Sequence, residues 1–76
     1  MTAMQITILE STALARISYD EITQCLEAEF RDRTIYQYCG VPPEVHAALL
    51  GSESKGRFLN ATIRGHFPHQ LISAAS

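Results

Sequence analysis

The sequence predicts an α+β domain, a three-stranded antiparallel β-meander followed by two α-helices packed on one face. Two observations carry that expectation. Residues 13–39 hold three runs of period-two hydrophobicity separated by polar turns. Residues 43–67 switch to helical spacing, directly behind Val41-Pro42-Pro43.

The elements follow in order. Met4, Ile6 and Ile8 alternate with Gln5 and Thr7, so residues 1–8 read as a short strand or as an arm that adds to another chain's sheet edge. Ala15, Ile17 and Tyr19 make a strand of 13–19, and residues 20–23 a turn opened by Asp20. In 24–30, Leu26, Ala28 and Phe30 share one face, with Cys25, Glu27 and Glu29 on the other. Arg31-Asp32-Arg33 turns the chain into the β-branched and aromatic run 34–39, which pairs back as a hairpin. Gly40 ends that strand. Pro42 and Pro43 cannot donate to a ladder but suit the start of a helix. Val45, Ala48 and Leu49 then form the apolar stripe of a helix over 43–50, stopped by Gly51. Ser54 is the expected N-cap of a second helix, with Leu59, Ile63 and Phe67 on one stripe and Pro68 as its end. The remaining 68–76 has no pattern and reads as a flexible tail, so the single domain proper is 9–67.

Composition narrows the function classes. Seventy-six residues make one small domain, and a chain of this size buries only roughly 60% of its unfolded surface. Little core is left over for an enclosed catalytic pocket. The net charge of −2 gives no general attraction to nucleic acid. Its distribution is uneven: residues 1–53 carry all eight acids and three arginines, whereas 54–76 carry Lys55, Arg57 and Arg64 and no acid. A basic C-terminal third on an acidic body steers anionic partners, although cations near helix C-termini give the same pattern. The start of the chain lacks the cationic region and apolar run of a secretory signal, and no stretch approaches the ~20 apolar residues of a membrane span. Two cysteines without CxxC spacing do not close a zinc site, and the expectation is a cytoplasmic protein with reduced thiols.

Hairpin register decides what the tyrosines do. With a two-residue loop at Asp32-Arg33, Phe30 pairs with Ile35. Tyr36 and Tyr38 then lie opposite Leu26, Ala28 and Phe30, on an open face with Glu27 and Glu29. With a three-residue loop, Ala28 pairs with Tyr36 and Leu26 with Tyr38. The rings then join the apolar face, and Cys25 lies opposite Cys39, where a cross-strand disulfide could form in place of the expected reduced thiols. Exposed rings could stack bases; packed rings are structural.

Taken together, Ser11-Thr12, Ser18-Tyr19-Asp20, Leu26-x-Ala28-x-Phe30, Tyr36-x-Tyr38-x-x-Val41-Pro42, Ser54-x-Gly56, Asn60 and Ile63-Arg64 resemble the KTSC domain. The resemblance covers residues 8–67. That family occurs at the C-terminus of some lysyl-tRNA synthetases and alone in bacterial proteins, which implies RNA as a candidate ligand. Two departures stand out: Asp32-Arg33 replaces the usual Asn-Gly turn, and Ser18 replaces a common glycine.

A second candidate site is the start of the second helix, where Lys55, Gly56, Arg57, Asn60 and Arg64 follow Ser54. Free N–H groups, a glycine and cations suit a phosphate, while a plain capped helix needs the same Ser and Gly. His46, His66 and His69 form no catalytic or metal-binding constellation, so no catalytic residue, metal or cofactor is expected. The expected function is a non-catalytic module binding RNA or another anionic ligand through Tyr36, Tyr38, Lys55, Gly56, Arg57, Asn60 and Arg64. The alternative is a protein-interaction or self-association module. Neither involves a membrane.

Overall fold

The computed structural model describes residues 4–10 and 12–74. Ser11, from the family resemblance, and residues 1–3 and 75–76 of the two end segments lie outside them. Five antiparallel strands form one sheet in simple sequential order: β1 (Met4–Ile8), β2 (Leu14–Asp20), β3 (Cys25–Phe30), β4 (Ile35–Tyr38) and β5 (His69–Ser73). Helix α1 (Pro43–Gly51) and helix α2 (Lys55–Phe58), which continues as a π-helical turn over Leu59–Ile63, lie between β4 and β5 in the chain.

The α+β class holds, with five strands in place of the expected three. Residues 4–8 pair with β2 of their own chain, Ile6 opposite Ser18. Residues 69–73, expected as flexible tail, pair with β4, Tyr38 opposite His69. β5 buries neither face, so it never needed an alternating pattern.

Its inner residues place the core. Leu14, Ile17, Tyr19, Leu26, Ala28 and Tyr38 from the sheet meet Val41, Leu49, Leu59 and Ile63 from the helical layer, all buried. The Tyr19 ring stacks on His46 of α1 with centroids 4.3 Å apart, and its hydroxyl donates to the Val41 carbonyl at 2.6 Å. The opposite face carries Arg16, Ser18, Glu27, Glu29 and Gln37, with an ion pair between Arg16 and Glu29.

The β3–β4 hairpin takes the three-residue register, with Ala28 opposite Tyr36 and Leu26 opposite Tyr38. Phe30 N–H donates to Thr34 O, and Arg33 N–H to Phe30 O. Arg33 adopts φ 73°, the left-handed residue that closes a three-residue loop. The Asp32 carboxylate accepts from Thr34 N–H at 3.0 Å, which holds its pKa below the ordinary value. A β-carbon in left-handed conformation costs ~1–2 kcal/mol, and glycine returns some of that as unfolded-chain entropy. Arg33→Gly should therefore stabilise the protein by about 0.5–1 kcal/mol. A urea midpoint equal to or below wild type would contradict this.

The same register overturns the expectation of reduced thiols. It brings Cys25 and Cys39 face to face at a Cα separation of 4.1 Å, and they form a disulfide on the face away from the helices. The thiol-based reason for placing the protein in the cytoplasm goes with it. No helix among the described residues is long and apolar enough to cross a membrane.

The second helix also ends earlier than Pro68. Arg64 N–H closes the π-helical turn onto Leu59 O at 2.7 Å, and Arg64 is already extended. Gly65 follows at φ 84°, so the chain turns out four residues after Asn60's neighbour Ala61 and re-enters the sheet.

Candidate functional site

The hairpin, the end of the π-helical turn and β5 meet at one place. Phe30, Asp32, Thr34, Tyr36, Tyr38, Arg64 and His69 line an open cleft of about 280 Å³. Phe30 lies at the end of β3 and Tyr36 in the middle of β4. The tight loop carries Asp32. The early end of the helix delivers Arg64 to the rim, and pairing of β5 with β4 delivers His69.

The rings form a continuous aromatic wall. Phe30 meets Tyr36 edge-to-face at 6.2 Å, and Tyr36 lies 6.5 Å from Tyr38. His69 lies 6.0 Å from both tyrosines. Access differs along the wall. Tyr38 is 2% exposed and serves as its floor, whereas Tyr36 is half-buried and His69 and Arg64 are exposed. Burial pushes the Tyr38 phenol above the ordinary tyrosine value, partly offset by the Arg64 charge, so it remains a neutral donor. A flat ligand could rest on Tyr36 and His69, with Arg64 as the cation and Asp32 as an acceptor for ligand N–H groups.

The structure thus gathers Tyr36, Tyr38 and Arg64 of the sequence candidates and separates the others. Lys55 lines a different hollow of about 320 Å³ with Leu9, Glu10, Thr12, Glu53 and Ser54. Two carboxylates there oppose an anion, and the Lys55 ammonium donates to the Ser52 carbonyl at 2.6 Å, tying α2 to the end of α1. Ser54 caps α2 as expected, its hydroxyl accepting from Arg57 N–H at 3.3 Å. Gly56 has a packing reason: a β-carbon there would come within 3.3 Å of the Ala13 methyl. Arg57 and Asn60 are exposed on the helix and line neither hollow.

Phe30, Asp32, Thr34 and His69 are the site residues that sequence reasoning left out. In sequence Phe30 belongs to the apolar stripe of its strand and Asp32 to a turn, so neither signals a ligand. For His69 no local signal existed, because only the pairing of β5 brings it to Tyr36.

Among the described residues His46 is the one buried ionisable side chain besides the tyrosines, 5% exposed, and its Nε2 has no hydrogen-bond partner there. Burial lowers its pKa, with Glu21 opposing. The unfolded chain therefore binds a proton that the folded chain resists. The resulting stability is present above the unfolded value of 6.5 and is lost as pH falls from there through the lowered folded value. Urea midpoints should decline from pH 7 to 5, and His46→Phe, which keeps the stack on Tyr19, should flatten that decline. An unchanged profile in the variant would show that the decline arises elsewhere.

Among the described residues no three His, Cys, Asp or Glu side chains cluster as metal ligands. Comparison with known proteins gives the site its context. The KTSC domain model matches residues 10–67. The crystal structure of a KTSC domain protein from Yersinia pestis superposes with a TM-score of 0.87 at 38% identity, covering 93% of this chain and 100% of that one. An uncharacterised protein of Stutzerimonas stutzeri is 43% identical over 56 residues, 74% of this chain and 79% of that protein. A lysine–tRNA ligase of Nostoc punctiforme is 36% identical over 64 residues, which are 84% of this chain but only 11% of the ligase.

Proposed function

This chain belongs to the KTSC domain family, and from that premise we propose that it is a small non-catalytic module that binds single-stranded RNA. The observation that carries the reading is the half-exposed Tyr36 ring, set between Phe30 and His69 with Arg64 at the rim. Single-stranded RNA is held by aromatic stacking and cations, and stacking is worth ~1–3 kcal/mol per base. The Asp32 carboxylate faces the same cleft and suits an exocyclic amino group of adenine, cytosine or guanine. The match to a segment of lysine–tRNA ligases supports RNA over other flat anions.

With Arg64 as the cleft's own cation, few phosphates are neutralised. Affinity should be modest and its salt slope shallow, about −0.7 per phosphate. A fluorescence-anisotropy titration of short single-stranded RNA at low salt tests the reading. Tyr36→Ala should weaken binding roughly 5- to 150-fold, the loss of one stacked base. Arg64→Glu should weaken it and flatten the salt dependence. The double change Lys55→Glu with Arg57→Glu, outside the cleft, should have the smaller effect. No binding at high micromolar protein, or Tyr36→Ala binding as tightly as wild type, would overturn the proposal.

A further inference from the structure

Sheet edges that face water are ordinarily blunted by charge, proline or a bulge. β1 is a terminal strand of the sheet, and Met4–Ile8 contains none of these: it has no charged residue or proline, and it pairs with β2 without a register shift. Its apolar residues also lie on an unusual side. Ile6 pairs with Ser18 and Ile8 with Arg16, which places both on the face away from the helices, and they are 61% and 74% exposed. The other terminal strand, β5, is bulged where it pairs with Ile35 and Tyr36.

We propose that two copies of the chain associate through β1, antiparallel about a two-fold axis at Ile6, into one continuous sheet. The strand is self-complementary in that register. Ile6 meets the partner's Ile6, Ile8 meets the partner's Met4, and Gln5 meets the partner's Thr7 on the other face. The apolar cross-strand pairs then shield one another. The flanking charges also match. Ile8 lies in the row of Arg16, Met4 in the row of Asp20 and Ile6 in the row of Ser18, so each of the two outer rows on this face has an arginine on one side and an aspartate on the other, and the central row has a serine on both. No like charges are brought together. Because the same surface is used by both copies, the interface closes on itself as a dimer and not a fibre. A seam of five residues is smaller than a standard interface, so association should be reversible and concentration-dependent. This surface is separate from the aromatic cleft, which lies at the β4–β5 side of the sheet.

Light scattering and sedimentation equilibrium from micromolar to millimolar protein provide the test. Wild type should move from monomer towards dimer, and Ile6→Lys, which sets two ammonium groups against each other on the axis, should stay monomeric throughout. Ile6 is mostly exposed, so the variant should fold, as a far-UV circular dichroism spectrum and melting curve like wild type would verify. Leu71→Lys on β5 should dimerise like wild type. A wild-type monomer at millimolar concentration, a dimer that survives Ile6→Lys, or one lost only in Leu71→Lys would each overturn the inference.

Discussion

Tyr19→Ala is expected to remove most of the protein's stability at 25 °C and bring it close to its unfolding midpoint. The ring is 1% exposed, lies at the centre of the core face of β2, stacks on His46 and ties its hydroxyl to the Val41 carbonyl. Removing a buried aromatic ring costs ~3–5 kcal/mol. Domains in general are stable by only ~5–15 kcal/mol, and one of this size sits towards the low end. The loss is not local, because Tyr19 joins the sheet to α1 and to the turn before it. Tyr19→Phe separates the contributions. It keeps the stack and removes the hydrogen bond, leaving a buried carbonyl without its donor, and should cost about 1–2 kcal/mol. Urea unfolding followed by circular dichroism measures both, there being no tryptophan in the chain. An alanine variant with wild-type midpoint would mean that α1 does not dock on β2 as described.

Reduction of the Cys25–Cys39 disulfide is expected to have the next largest effect. The bond closes a loop with a sequence separation of 14, for which the chain-entropy account gives roughly 3 kcal/mol. The bridge lies beyond the last paired residues of the hairpin, Leu26 and Tyr38, and so clamps its open end. Dithiothreitol should lower the urea midpoint, and Cys25→Ala with Cys39→Ala should reproduce the lowered value while losing sensitivity to reductant. The folded fraction of the reduced protein should still keep Ala28 opposite Tyr36, because the loop and the apolar face set that register. Titration of two free thiols in the native, unreduced protein would refute the bond.

How far the site could be read from the sequence follows from the range of the interactions involved. Tyr36, Tyr38 and Arg64 were legible as chemistry: rings at strand spacing and a cation near the end of a helix. Their meeting was not, because it depends on a π-helical turn that ends at Ile63 and on a strand that returns from Gly65. His69 belongs to the cleft for the second reason alone. Lys55 and Arg57 looked like the same basic surface in sequence, yet a hollow shared with Glu10 and Glu53 lies at Lys55. One-dimensional charge counting cannot see acids brought in from another segment.

Local periodicity and turn chemistry determined the α+β class, β2 to β4 within a residue or two, α1, the Ser54 cap and most of the core. Those elements bury one face each, and burial writes a period of two or of helical spacing into the chain. Tertiary structure alone decided the rest. It chose the three-residue hairpin register, which a single left-handed Arg33 distinguishes from its neighbour and which turns Tyr38 into the core and Cys25 towards Cys39. It also recruited β5, an exposed strand with no buried face to write a pattern, and with it the aromatic cleft. Register and edge pairing are contacts between distant segments, and their energy depends on which partners meet, so no short stretch of sequence contains them.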